Sequence, residues 1–252
     1  MTAFHIVSQG VATRPSSNEI APTGFQSVAR AAKLLGMFTI EQPSLTLSDI
    51  TERLAVSKPT AHRYATALRQ AGLLRQADGA YTLGPRIVEL ASAALAGLGV
   101  INVARPHLER LGADTAQTAV LSVWDGEAPV VVRVHDGAPA RLVRIVVTTG
   151  SRLPRESAQG LVFSAFLDPE NGDPRLRAIR RQRLCYFPDV VEGIAALAAP
   201  VFQGEEIVAT MALVGTASAI PKGPRAGVAR ALRRAATSLS EELGHVVDEA
   251  PE

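Results

Sequence analysis

Apolar residues along the amino-terminal third of the chain follow helical spacing in three short runs. Between residues 25 and 40 they recur at Val28, Ala31, Ala32, Leu35 and Phe38, and Pro43 closes that run. Thr46 and Asp49 have the spacing of a capping box, after which Leu47, Ile50 and Leu54 line one face of a second, shorter helix. Ala55, Val56 and Ser57 make a tight connection into a third. This third helix divides cleanly: Pro59, His62, Arg63 and Thr66 share one face, and Ala61, Tyr64, Ala65 and Leu68 share the other. The segment LLRQADGAYTLGP then reads as a hairpin turning at Asp78-Gly79, a dipeptide suited to positive φ.

From Pro85 helical spacing resumes through Ile87, Leu90, Ala91, Ala94 and Leu98, a connecting helix that ends at Gly97 and Gly99. Beyond residue 100 the texture changes. A helix is expected near 102–111, then strands at 118–124 and 129–135 around Asp125-Gly126, and a third strand at 141–147. Helices near 157–167 and 174–183 precede a second hairpin, IAALAAPVF with EEIVATMALVG, and a last helix covers roughly 225–247. Hairpin strands with helices before, between and after them predict an α+β unit around a mostly antiparallel sheet. The fold class is therefore mixed α/β of the α+β type. Its divisions are a flexible tail at 1–24, a winged helix-turn-helix at 25–85, a connecting helix at 86–99, and an α+β domain at 100–252.

Composition narrows the function. The 252 residues are 47% hydrophobic, too apolar for general disorder, and the net charge of +2 names no partner by itself. The one cysteine, Cys185, has no intrachain partner, and beside Tyr186 and Phe187 it reads as half-buried and inert. The first 24 residues lack the apolar core of a signal peptide, and the longest apolar run, 193–202, is too short to span a bilayer. A cytoplasmic protein without a membrane partner is expected. His5, His62, His107, His135 and His245 fall in no metal-binding spacing, and nucleophile elbows and phosphate-binding glycine loops are absent from the sequence. The expectation is no catalysis, no metal and no cofactor.

What the third helix carries is more telling. Lys58, His62 and Arg63 gather on its first turns, where free backbone N–H groups and the helix dipole also favour phosphate. In a winged helix-turn-helix the recognition helix enters the major groove of double-stranded DNA with this end first. Ser57 stands at the N-cap, and Pro59 sits where a missing N–H is harmless. Thr60, His62, Arg63 and Thr66 are candidates for base reading, with Ser57, Lys58 and the wing residue Arg75 also assigned to DNA. The competing reading is an enzyme or protein-interaction module that carries an accessory winged helix.

The segment TLSDITERLAVSKPTAHRYATALRQAGLLRQADGAYTLGPRIVELA resembles the DNA-binding half of the IclR family of bacterial transcription regulators. That family's recognition helix has the form S/T-x-x-HR and its wing ends in Y-x-LG. Ser57, Thr60, His62, Arg63, Tyr81, Leu83 and Gly84 match, whereas Pro59 replaces a common serine. The likeness continues through ARPHLERL at 104–111 and through 194–215. It implies a GAF-like carboxy-terminal domain that binds a small organic effector, in a homodimer or dimer of dimers on a pseudo-palindromic operator, more often as a repressor. Carried over by position, the effector site takes Ser157, Ala158, Gly160 and Leu161 at a helix start, Asp189 before Gly193, and Ala196, Ala212 and Val214 on strands. Leu161 and Val162 depart from the family's Lys-Ala, and Ala212-Leu213-Val214-Gly215 stands where some members have two serines. A lining without hydroxyls implies an organic acid of more apolar character, aromatic or branched aliphatic.

Overall fold

The computed structural model describes residues 2–5, 26–137, 143–223 and 226–246. Two compact units divide the chain after the fourth helix.

The first unit contains helix α1 (Gln26–Leu35), strand β2 (Ser44–Thr46), α2 (Leu47–Leu54), α3 (Lys58–Gln70), the hairpin β3 (Leu74–Ala77) and β4 (Ala80–Leu83), and α4 (Pro85–Gly97). The capping box at the start of α2 forms as its spacing predicts. Asp49 N donates to Thr46 Oγ1 at 3.2 Å, and Thr46 N donates to Asp49 Oδ2 at 2.8 Å. That backbone hydrogen bond from Thr46 holds the Asp49 carboxyl below its ordinary pKa. Ala55 then takes the left-handed conformation, φ 53°, which turns the chain sharply into α3. Leu34, Leu45, Ile50, Leu54, Ala61, Ala65, Leu68, Leu74 and Tyr81 form one apolar core beneath α3.

Two expectations fail here. Leu34 is the buried anchor of α1, while Val28 and Ala32 face solvent, because the helix ends at Leu35 and turns a narrower face inward than a run to residue 40 would give. Strand β2 is too short to register in the apolar pattern, yet it pairs with β4 and makes the wing a three-stranded sheet in the order β2-β4-β3. At the hairpin tip Asp78 and Gly79 both have positive φ, 50° and 78°, as the dipeptide predicts.

The second unit is built on α5 (Gly99–Thr115), β5 (Thr118–Trp124), β6 (Pro129–Asp136), α6 (Ala158–Leu167), α7 (Pro174–Gln182), β8 (Cys185–Val191), β9 (Ile194–Gln203), β10 (Glu206–Thr216) and α8 (Gly227–Glu242). Its five-stranded sheet is antiparallel throughout, in the order β6-β5-β10-β9-β8. Side chains alternate across it. Ala119, Leu121, Leu197, Ala199, Met211 and Leu213 meet α5 and α8, while Val120, Val131, Ala196, Ala198, Ala212 and Val214 meet α6 and α7. Because both faces are covered, β9 is buried at every position from Ile194 to Phe202 and reads as an unbroken apolar run.

Strand β8 went unrecognised in the sequence because Pro188 and Asp189 interrupt it; the structure absorbs them in a register break between Phe187 and Val191. The strand expected at 141–147 forms as β7 (Val143–Val146), but it pairs in parallel with β1 (Thr2–His5) and stays outside the main sheet. Thr2–His5 is thus strand where the sequence suggested tail; the rest of that tail, residues 6–24, and positions 141 and 142 lie outside the described residues.

Two consequences are measurable. Gly84 N donates to Leu73 O at 2.8 Å, and a Cβ on Gly84 would come within 2.1 Å of Gly72 O. Gly84→Ala should therefore lower the urea stability of the first unit by about 1–3 kcal/mol, whereas Gly97→Ala, which meets nothing within 4 Å, should not. Burial pushes the Cys185 thiol from 9.0 up to about 11, with Arg175 pulling weakly the other way. A raised folded pKa stabilises fully below pH 9 and loses that contribution as pH rises through 11. Compared with Cys185→Ala, the native chain should lose about 2–3 kcal/mol across that window, and its thiol should resist dithionitrobenzoate at pH 8 until the chain unfolds.

Candidate functional site

The first candidate surface is the amino end of α3. Ala61, Ala65 and Leu68 are buried and Tyr64 is half-buried against α1 and α2, so the opposite side of the helix is fixed outward. On that side Ser57, Lys58, Pro59, His62 and Arg63 are exposed, and Thr60 and Thr66 are partly so. The two faces fall where the sequence placed them. Small residues at 61 and 65 let α3 lie close to its neighbours, which holds the helix axis and hence the aim of every outward side chain.

Ser57 occupies the N-cap, φ −66° and ψ 152°, but its hydroxyl does not cap a backbone N–H. It lies 2.9 Å from Thr60 Oγ1 instead. Pro59 contributes no donor, so the amides of Lys58 and Thr60 remain the first-turn donors without a helical acceptor. Among the described residues Lys58, His62, Arg63 and Arg75 enter no ion pair. Unpaired cations beside free amides form a surface suited to phosphate and to the acceptor-rich edge of guanine.

Arg75 is exposed on β3, opposite Thr82 in register. The wing is tied to α3 by Arg69 Nη1 donating to Gln76 Oε1 at 3.0 Å, and by the close approach of Gly84 to Gly72. Tyr81 is 2% exposed and belongs to the core. Tyr81 and Gly84 of the wing motif are thus packing residues that help to place Arg75, whereas Leu83 is exposed.

The second candidate surface lies where α6 meets the sheet. Ser157 caps α6, its Oγ accepting from Gly160 N at 3.2 Å. Gly160 packs so tightly that a Cβ would sit 2.2 Å from Arg155 O, a requirement of packing that the sequence alone did not separate from ligand binding. The amides of Ala158 and Gln159 are left as first-turn donors. Ala158, Ala196, Ala212 and Val214 are buried together in the core beneath α6, and Leu161 packs at its margin. The structure thereby gathers five positions scattered over 57 residues of sequence. Asp189 lies on β8 within its register break, beside β9.

Sequence reading missed the polar residues of this same face. Thr210, fully buried and two residues before Ala212, donates through Oγ1 to Gln159 Oε1 at 2.9 Å. Ser122, opposite Thr210 in register, is fully buried and its hydroxyl has no partner. Trp124 meets Phe163 in a tilted ring pair, centroids 5.2 Å apart, with the Arg155 guanidinium 5.5 Å from its indole ring. The alternation of β5 was the one signal that could have pointed to Ser122. Among the described residues no three His, Cys, Asp or Glu side chains come together as metal ligands, and no single helix is long and apolar enough to cross a membrane.

Known proteins resemble the chain in both units. The profile of the IclR helix-turn-helix domain matches residues 27–78, which encloses α2, α3 and the start of the wing. An HTH-type transcriptional regulator of Mycobacterium tuberculosis is 35% identical over 151 residues, covering 58% of this chain and 56% of that one. The DNA-binding transcriptional repressor YiaJ of Escherichia coli is 24% identical over 257 residues, with 90% of each chain covered. The fold is shared with the crystal structure of an IclR homolog complexed with 4-hydroxybenzoate from Microbacterium hydrocarbonoxydans. That likeness has a TM-score of 0.68 at 24% identity and spans 86% of this chain and 99% of that one. An outward-aimed, cation-bearing recognition helix and a wing locked to it have one common meaning here: the chain carries a helix-turn-helix domain of the IclR type and is similar along most of its length to DNA-binding transcriptional regulators.

Proposed function

We propose that this regulator acts as a repressor, bound to a pseudo-palindromic operator as a homodimer or dimer of dimers and released by a small organic acid. The reading rests above all on the first turns of α3, where Lys58, His62 and Arg63 stand exposed beside unbonded amides while the opposite face is buried. In this reading residues 25–85 hold the operator, 86–99 link, and 100–252 take the effector. Thr60, His62, Arg63 and Thr66 read base edges; Ser57, Lys58 and Arg75 grip phosphates and set register. A protein with this role works in the cytoplasm and needs no catalytic residue, cofactor or metal. Repression is favoured by the resemblance to a named repressor along most of both chains.

The effector is assigned to the junction of α6 and the sheet. Its carboxylate faces the free amides of Ala158 and Gln159 beside Ser157 and Gly160, and its body lies toward Leu161, Ala196, Ala212 and Val214, with Asp189 on the neighbouring strand. The apolar side chains of Leu161, Ala196, Ala212 and Val214 favour a ring or branched chain over a small, highly polar acid, and the buried Ser122 hydroxyl on the same face can pair with one polar substituent. The aromatic acid held by the Microbacterium homolog fits that chemistry. Effector control requires unequal affinity for the DNA-competent and DNA-released arrangements of the paired chains, since a ligand that binds both equally shifts neither.

Two measurements check these roles. In fluorescence anisotropy with the chain's own upstream DNA, Arg63→Ala should weaken binding by roughly 10- to 100-fold and relax base preference, while Lys58→Ala should reduce the salt slope by about 1. Unchanged affinity in both variants rejects the interface. In titration calorimetry 4-hydroxybenzoate should bind more tightly than glyoxylate; the reverse order rejects the apolar effector.

A further inference from the structure

The described face of the second unit holds a cleft with no part in this scheme. Strand β8 begins at Cys185 opposite Ala198, so among the described residues β9 has no strand neighbour on that side from Ala199 onward. The end of α7 and the flank of α8 close over this bare edge without filling it, leaving a cleft of about 320 Å³. Pro200, which has no N–H to satisfy, lies on the edge, and the amide of Phe202 is capped by Ser240 Oγ at 2.9 Å. The edge is therefore protected against strand pairing and available to a smaller guest.

The cleft's chemistry is one-signed. Arg181 and Arg183 reach it from the end of α7 and Arg233 from α8, and among the described residues no carboxylate lines it. Arg183 sits over the Phe202 ring at 5.4 Å, and the His245 imidazole stacks on that ring at 5.0 Å. His245 Nδ1 donates to Gly204 O, which fixes the ring; its Nε2 is buried and has no partner. A fixed imidazole with an orphaned nitrogen, the guanidinium groups of Arg181 and Arg183 and an apolar floor of Ala199, Pro200 and Phe202 together make the outline of a ligand site.

We propose that this cleft is a second small-molecule site, separate from the α6 junction, which takes a small organic carboxylate. The guanidinium groups pair with the carboxylate. The apolar floor and the Phe202 ring take the ligand's body, beside the fixed His245 imidazole. Inorganic anions satisfy only the first of these features, so they bind more weakly.

Arginine modification by phenylglyoxal, read peptide by peptide by mass spectrometry on the full chain, localises the effect and is blind to binding at α6. With benzoate as probe, modification of Arg181 and Arg183 should slow roughly tenfold once benzoate exceeds its dissociation constant by that factor, while Arg63 and Arg75 continue at their own rates. Neutral benzamide should not protect. Arg183→Asn, which suits the left-handed backbone of that residue, φ 48°, should raise the half-protecting benzoate concentration for Arg181 by about tenfold. No protection, or equal protection at Arg63 and Arg75, overturns the site. Sulfate protecting as well as benzoate overturns the organic class. Arginines that are slow without benzoate and quicken in Asp248→Asn/Glu249→Gln show the chain's own acidic terminus in the cleft, which also overturns it.

Discussion

The structure depends first on how α3 is held. Ala61, Ala65 and Leu68 are buried on one side of a 13-residue helix whose other side must stay bare to be useful. A helix this short is marginal alone, and its stability comes from the apolar face. Alanines at two of the three buried positions let the helix sit low on α2 and β3, so the outward residues are aimed by the core and not by contacts of their own. Lys58, His62 and Arg63 can then remain unpaired without loosening the fold.

A different balance governs the second unit. Its sheet is covered on both faces, and side-chain alternation assigns odd and even positions of β9 and β10 to two separate cores. The junction proposed for the effector and the basic cleft lie along this one sheet: the first under α6 on β9 and β10, the second at the edge of β9 beyond the start of β8.

Much of this was legible in the sequence, because the signals are local. The capping box at Thr46, the two faces of α3, the turn at Asp78-Gly79 and the bounds of β5 follow from spacing and backbone chemistry. Helix-start residues such as Ser157 and Gly160 followed from the family resemblance. The failures share a cause: partners far away in the chain decide them. Strand β2 exists because β4 is there to receive it, β8 survives Pro188 and Asp189 because β9 is long enough to bridge the break, and β7 finds its partner at Thr2–His5. Likewise Ser122, Thr210 and Gln159 are ordinary polar residues until the fold buries them on one face.

Where Gly84 touches Gly72, the wing is anchored at its root, while nothing crowds Gly79 at its tip. Length can therefore vary at one end of the hairpin and not at the other. Extra residues inserted at 78–79 would lengthen the reach of the loop along a duplex and leave the orientation of α3 intact. The tip is thus the natural graft point for an engineered reporter.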